Sequence, residues 1–244
     1  MKSESNILPK QWAVPDAIRL RLGREPGPQR AMYEEEHLLI ILHQLPQPDE
    51  HQRKAALFWR KPEGEWKTNL QGGGLCALGE HLLRFEQKLM ELDELENKAR
   101  TAADYHGVLE QLAPVLRSSR GLHRALQQAR EAVKSERELI NMRDQAAGIE
   151  RNAELLLQDA QFGLNFTVAR QAEVQAASAR QMAATAHRLN LMAALFLPLT
   201  ALASVFGMNM SSGIADAPAN FWLVCFAGLL LGLCVMMVLG KRDG

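Results

Sequence analysis

Few side chains in this sequence are placed to do covalent chemistry. The seven histidines fall into no HExxH or comparable ligand spacing, no Ser/His/Asp or Cys/His grouping stands out, and no phosphate-cradling glycine loop is present. His106, His123 and His187 read as helix-surface residues. Cys76, Cys225 and Cys234 form no CxxC pair, and two of them sit inside an apolar run, so they read as small hydrophobes rather than metal or redox groups. The acidic triplet Glu34 to Glu36 has the charge to hold a cation, but a solvated strand end is the plainer reading. Together these observations argue against an enzyme. What remains is polar chemistry at the edge of an apolar segment: Gly207-Met208-Asn209 closes one apolar run and opens a short link into a second.

The first run, Leu189 to Phe206, reads LNLMAALFLPLTALASVF. At 1.5 Å per residue it reaches roughly 27 Å, close to the hydrocarbon thickness of a bilayer. The second, Phe221 to Gly240, carries no Asp, Glu, Lys or Arg and meets the criterion for a span more cleanly than the first, which Asn190 and Pro198 interrupt. Gly228 and Gly232 give it a GxxxG spacing suited to a neighbouring helix. Two spans joined by an outer link make a membrane hairpin. Arg180, His187 and Arg188 precede it, Lys241 and Arg242 follow it, and the link 207–220 has no Lys or Arg, so the positive-inside rule puts both termini in the cytoplasm. Met1 to Lys10 lacks the apolar core of a signal sequence, which keeps the soluble part on the side where it is made. The 28 acidic residues balance 28 basic ones, so charge gives no sign of a nucleic-acid partner.

The elements that position the hairpin change in texture along the chain. Residues 1–75 are rich in proline and glycine, and their two short apolar runs, His37 to Leu42 and Ala55 to Trp59, predict two or three strands in a small cytoplasmic α/β domain. Residues 76–138 read as a helical hairpin. One amphipathic helix is expected from about Leu75 to Ala113, ended by Pro114, and a second from about Val115. Its acidic stretch near Glu91 to Glu96 and the basic positions Arg117, Arg120, Arg124 and Arg130 allow charge pairing across an antiparallel pair, although two solvated faces suffice. Residues 139–206 predict one very long helix, a stalk continuing into the first span, roughly 100 Å long and too long to stand without partners. Ala169, Ala172, Ala176, Ala179, Ala183 and Ala186 recur at steps of three and four, and the register continues through Asn190, Ala193, Leu197, Thr200, Ser204 and Gly207. Such a seam lets helices approach closely around a shared axis. The outer link 207–220, the second span 221–240 and a short tail 241–244 complete a mainly α membrane protein. An oligomeric channel and a membrane tether fit this reading equally.

Leu197-Pro198-Leu199-Thr200 followed by Phe206-Gly207-Met208-Asn209, inside a two-span hairpin near the C-terminus, resembles the first transmembrane segment of the CorA family of divalent-cation channels. The resemblance covers residues 139–244 well, the helix pair loosely and the N-terminal domain hardly at all. It implies a homopentamer in the cell inner membrane, with five copies of the long helix around a pore and the second span outside. By position, Gly207, Met208 and Asn209 would form the selectivity filter. Asn209 carboxamides would ring the outer mouth and hold Mg2+ through its hydration shell, because that ion gives up water reluctantly. Thr200, Leu197, Ala193, Leu189, Ala186 and Ala183 would line the pore, with Leu197 and Leu189 as apolar constrictions. No cofactor is implied. The transported ion would be Mg2+, with Co2+ and Ni2+ as further candidates.

The sequence also departs from that family. Met210 is followed by Ser211, Ser212 and Gly213 where many members carry an acid, and the inner stripe is alanine where acidic positions are common. These differences weaken attraction of a divalent ion and leave cation-dependent gating without its usual groups. They motivate a rival, a membrane scaffold of the same fold without transport. A Zn2+ transporter of the ZntB type is the other alternative, although Met208 favours the Mg2+ branch.

Overall fold

The structure is a computed structural model that describes residues 7–46, 54–207 and 218–240. The chain divides into two compact units, Met1–Ala169 and Arg170–Gly244.

The first unit is built on a four-stranded antiparallel sheet in the order β1-β2-β3-β4, with β1 at Arg30–Glu34, β2 at His37–His43, β3 at Ala55–Arg60 and β4 at Trp66–Thr68. The two expected apolar runs form β2 and β3. The sequence reading omits β1, whose five residues pair in register with β2 from Arg30↔Ile41 to Glu34↔His37. The apolar run of β2 shows no alternation because the sheet is covered on both faces, so Leu38 to Leu42 are all fully buried. Leu38, Ile40, Leu42, Ala56 and Phe58 face a core of three helices, while Leu39, Ile41, Leu57 and Trp59 face Leu8, Trp12, Val14, Ile18 and Leu22. The latter group brackets a single turn of helix, α1, at Asp16–Arg19. Glu34 lies in an ion pair with Arg21 (3.1 Å), and Glu35 and Glu36 form the two-residue turn between β1 and β2, both at positive φ (51° and 65°).

The helical layer consists of α2 at Gly74–Lys98, α3 at Ala102–Ala132 and α4 at Glu138–Gly207. The expected helix break at Pro114 is corrected here: the hairpin turns at Ala99–Thr101, and Pro114 lies inside α3. Thr101 explains the shift. Its Oγ1 accepts from the Asp104 amide (3.2 Å) while the Asp104 carboxylate accepts from the Thr101 amide (2.8 Å), a reciprocal cap that starts a helix well before the proline. The Arg100 amide (3.0 Å) and the Thr101 amide both donate to the Asp104 carboxylate and hold its carboxyl below its ordinary range. Pro114 costs α3 one backbone hydrogen bond, and the burial of Leu112, Val115 and Leu116 around it outweighs that loss. The first part of α4 is a core helix: Leu139, Met142, Ala146, Ile149, Ala153 and Leu156 pack with α2 and α3. Charge pairing across the helices runs from α3 to α4, through Arg120–Glu154 (2.8 Å) and His123–Glu150 (2.7 Å). The acids of α2 pair within their own helix, as in Lys88–Glu91 and Lys98–Glu94.

A polar seam crosses this core. Gln29 Nε2 donates to the Ser118 carbonyl (2.7 Å), and Gln29 Oε1 accepts from the His43 amide (3.2 Å). His81 lies beside it between Phe58 and Phe85, with ring centroids 6.2 and 5.4 Å away. Burial pushes its imidazole down to about 4, against a bond with the His43 backbone that favours the proton and with a smaller contribution from Arg84. The folded chain therefore keeps His81 neutral where the unfolded chain takes up a proton, so its contribution is complete above about pH 6.5 and is lost as pH falls toward 4. Between pH 7.5 and 5 the loss should be about 2 kcal/mol, read as a lower urea midpoint of the full chain in detergent. His81→Leu should flatten that slope, and an unchanged slope would contradict the assignment. Asn and Gly adopt the positive φ at the β1–β2 turn more readily than Glu, so Glu35→Asn with Glu36→Gly should stabilise the chain by about 1 kcal/mol in the same assay.

Candidate transport site

The second unit contains the end of α4 and a fifth helix, α5, at Pro218–Gly240. Among the described residues α4 is the one helix long and apolar enough to cross a membrane, with mean hydropathy 1.5 over its most apolar stretch. Only 6% of that stretch is buried, unlike the core helix of a soluble protein. Within α5 the stretch Cys225–Met237 is apolar.

α4 and α5 meet closely because two glycines remove side chains from the crossing. A Cβ on Gly232 would lie 2.7 Å from the Leu195 carbonyl oxygen and 3.2 Å from the Leu195 Cα, and one on Gly228 would lie 2.9 Å from Leu199 Cδ1. The GxxxG spacing expected to seat the second run thus seats it on α4. Leu191, Ala194, Leu195, Pro198, Leu199 and Leu202 form the covered face, Ala194 buried and the others half-buried. This partner face was not recognised in the sequence, because GxxxG marks one helix of a pair and leaves its mate unspecified.

The residues expected to line a pore lie on the other side of α4. Ala183, Ala186, Leu189, Ala193, Leu197 and Thr200 are all exposed, Leu189 to 57% and Leu197 to 65%. At about 100° per residue they form one strip centred about half a turn from Leu195 and Leu202. Thr200 Oγ1 donates to the Phe196 carbonyl (2.8 Å), which commits its proton to the helix and turns its lone pairs outward as acceptors. Gly207 is the last residue of α4. Met208 and Asn209, with the rest of the expected outer link through Ala217, lie outside the described residues, as does the tail 241–244.

Among the described residues no group of three or more His, Cys, Asp or Glu side chains could hold a metal ion. The open cavity lined by His123, Glu150, Arg151, Glu154 and Gln158 has its carboxylates engaged by His123 and Arg120.

The sequence profile of the CorA-like Mg2+ transporter proteins matches residues 77–242, more than half of the chain. The chain belongs to that family. It is therefore a member of a family of divalent-cation transporters rather than of enzymes. No curated protein sequence matches it. Among solved structures, the cytoplasmic domain of ZntB from Vibrio parahaemolyticus is similar at a TM-score of 0.53 and 13% identity, over 66% of this chain and 80% of that one. Full-length CmaX is similar at a TM-score of 0.50 and 18% identity, over 96% and 83%. The CorA magnesium transporter from Methanocaldococcus jannaschii aligns at 0.37 and 14% identity, over 95% and 84%. At these identities the likeness to ZntB and CmaX is one of fold.

The crossing of α4 and α5 leads to a direct test. Gly232→Leu should force the helices apart and destabilise the detergent-solubilised chain by about 2 kcal/mol or more, with Gly232→Ala intermediate. Leu231→Ala, at an exposed neighbour, should leave the thermal midpoint unchanged.

Proposed function

We propose that the chain is a homopentameric channel that carries Mg2+, and by the same chemistry Co2+ or Ni2+, across the inner membrane, with both termini in the cytoplasm. The observation that supports this most directly is the two-sidedness of α4 in the second unit. One face is occupied by α5, and the opposite face carries exposed Ala183, Ala186, Leu189, Ala193, Leu197 and Thr200 in a single strip running toward Gly207. Five such strips around an axis would make a narrow conduit, with α5 as a second span on the outside.

In this reading Asn209 carboxamides ring the outer mouth and accept hydrogen bonds from the water shell of Mg2+, so the ion is selected without being stripped. Gly207 allows the backbone to turn tightly behind the ring, and Met208 packs beneath it. Thr200 offers oxygen lone pairs deeper in, and Leu197 and Leu189 form apolar constrictions that close by excluding water. A doubly charged ion gains about 4.6 kcal/mol per 100 mV of inside-negative potential, so electrodiffusion needs no nucleotide. Membership in a family of Mg2+ transporters and the residue Met208 favour Mg2+ over Zn2+ as cargo.

The test is flux into liposomes loaded with a Mg2+-sensitive dye under an inside-negative potential. Wild type should admit Mg2+, and Asn209→Ala should lower the rate at least about tenfold while keeping the oligomer intact by native mass. Normal uptake by Asn209→Ala would remove the assigned role. Wild type that passes neither Mg2+ nor, under a proton gradient, Zn2+ would favour a scaffold with the same fold.

A further inference from the structure

We propose that Asn190 supplies a second cation-holding ring, at the cytoplasmic end of the span, formed by the carboxamides of neighbouring copies around the axis. The inference rests on the channel reading above and extends it to a residue that reading does not use. Asn190 is the one amide or charged side chain in the run from Leu189 to Phe206. Inside a bilayer such a group is retained facing a helix partner, a cavity or water, because hydrocarbon offers its donors and acceptors nothing. The structure rules out the nearest partner. α5 sits on the Leu191, Leu195 and Leu202 face, and Asn190 is exposed on the side shared with Ala193, Leu197 and Thr200.

That side is the one assigned to the conduit. The next positions on it toward the cytoplasm, Ala186 and Ala183, bring no side-chain oxygen, so Asn190 is the last polar group an inward-moving ion meets within the span. Ten residues separate it from Thr200, about 15 Å along the helix, with Leu197 and Ala193 between. A hydrated divalent ion released past the apolar constriction at Leu197 would find carboxamide oxygens there to orient its water shell. The ring is incomplete in one chain and exists only when copies contribute an Asn190 each. Two holding positions separated by an apolar stretch let an arriving ion displace a departing one, which keeps binding from becoming a trap.

The test uses the full chain in the same liposomes. Asn190→Leu should lower Mg2+ flux at least about tenfold with the oligomer unchanged by native mass, and Asn190→Asp should make flux saturate at Mg2+ concentrations at least about tenfold lower, because a carboxylate ring holds the ion more tightly. Flux through Asn190→Leu with wild-type rate and concentration dependence would overturn the proposal. If Asn190→Leu fails to assemble, Asn190→Asp decides: a shifted saturation supports a cation ring, and a wild-type curve shows that Asn190 only holds helices in register. Wild type is measured first. If it passes no divalent ion the channel reading falls and this one with it, whereas a conducting wild type with indifferent Asn190 variants overturns this inference alone.

Discussion

The second unit depends on the contact between the α5 glycines and the backbone of α4. With Gly232 against the Leu195 carbonyl and Gly228 against Leu199, the helices approach more closely than side chains would otherwise allow. In the proposed reading, with both helices in the membrane, no hydrophobic drive would pull them together and this packing would hold the pair. It also fixes rotation. Once Leu191, Leu195, Leu199 and Leu202 are committed to α5, the strip from Ala183 to Thr200 is turned the other way, whatever comes to cover it. The small side chains of that strip and the polar groups at Asn190, Thr200 and Ser204 follow from the same commitment: what faces away from α5 need not be apolar throughout.

The first unit solves a different problem, which is how to begin a helix of 70 residues. Most of a helix's stability in a protein comes from tertiary packing rather than from propensity, and here the start of the helix is what is packed. Leu139, Met142, Ala146, Ile149, Ala153 and Leu156 provide that start, buried against α2 and α3, which in turn cover one face of the sheet. Arg60 of β3 donates to Glu136 (3.3 Å) in the turn that leads into α4, and both side chains are largely shielded from solvent. The shielding makes this pair stronger than the exposed ones along α2, and it ties the sheet to the point where α4 begins.

How much of this the sequence revealed depended on whether a signal was local. The long helix, its apolar end and the glycine pair are periodic patterns within one element, and they were readable. So was the shared face of Ala183, Ala186, Ala193, Leu197 and Thr200, because steps of three and four define a face without any tertiary information. Pro114 misled because proline is a strong local breaker, while the cap at Thr101 and Asp104 and the burial of Leu112 and Val115 act through geometry and packing that a sequence window does not weigh. β1 was missed because Arg30 to Glu34 alternates poorly and owes its conformation to pairing with β2 and to the Gln128 side chain of α3, which accepts from the Ala31 amide (3.1 Å). The roles of Met208 and Asn209 come from resemblance alone.

The absence of charge from the strip bears on how such a conduit would have to work. Between Ala183 and Gly207 the face opposite α5 carries no Asp or Glu, so no fixed negative field concentrates cations there. In the proposed reading attraction must come from the membrane potential, and discrimination from neutral oxygens that recognise a water shell. Neutral rings bind weakly, which suits release, and they leave Leu197 as the barrier between polar positions and Leu189 as the one just inside the last of them. Holding and closing would then be assigned to different residues on one face of one helix. The rotation set by Gly228 and Gly232 would govern both, because a twist of α4 against α5 moves oxygens and leucines together.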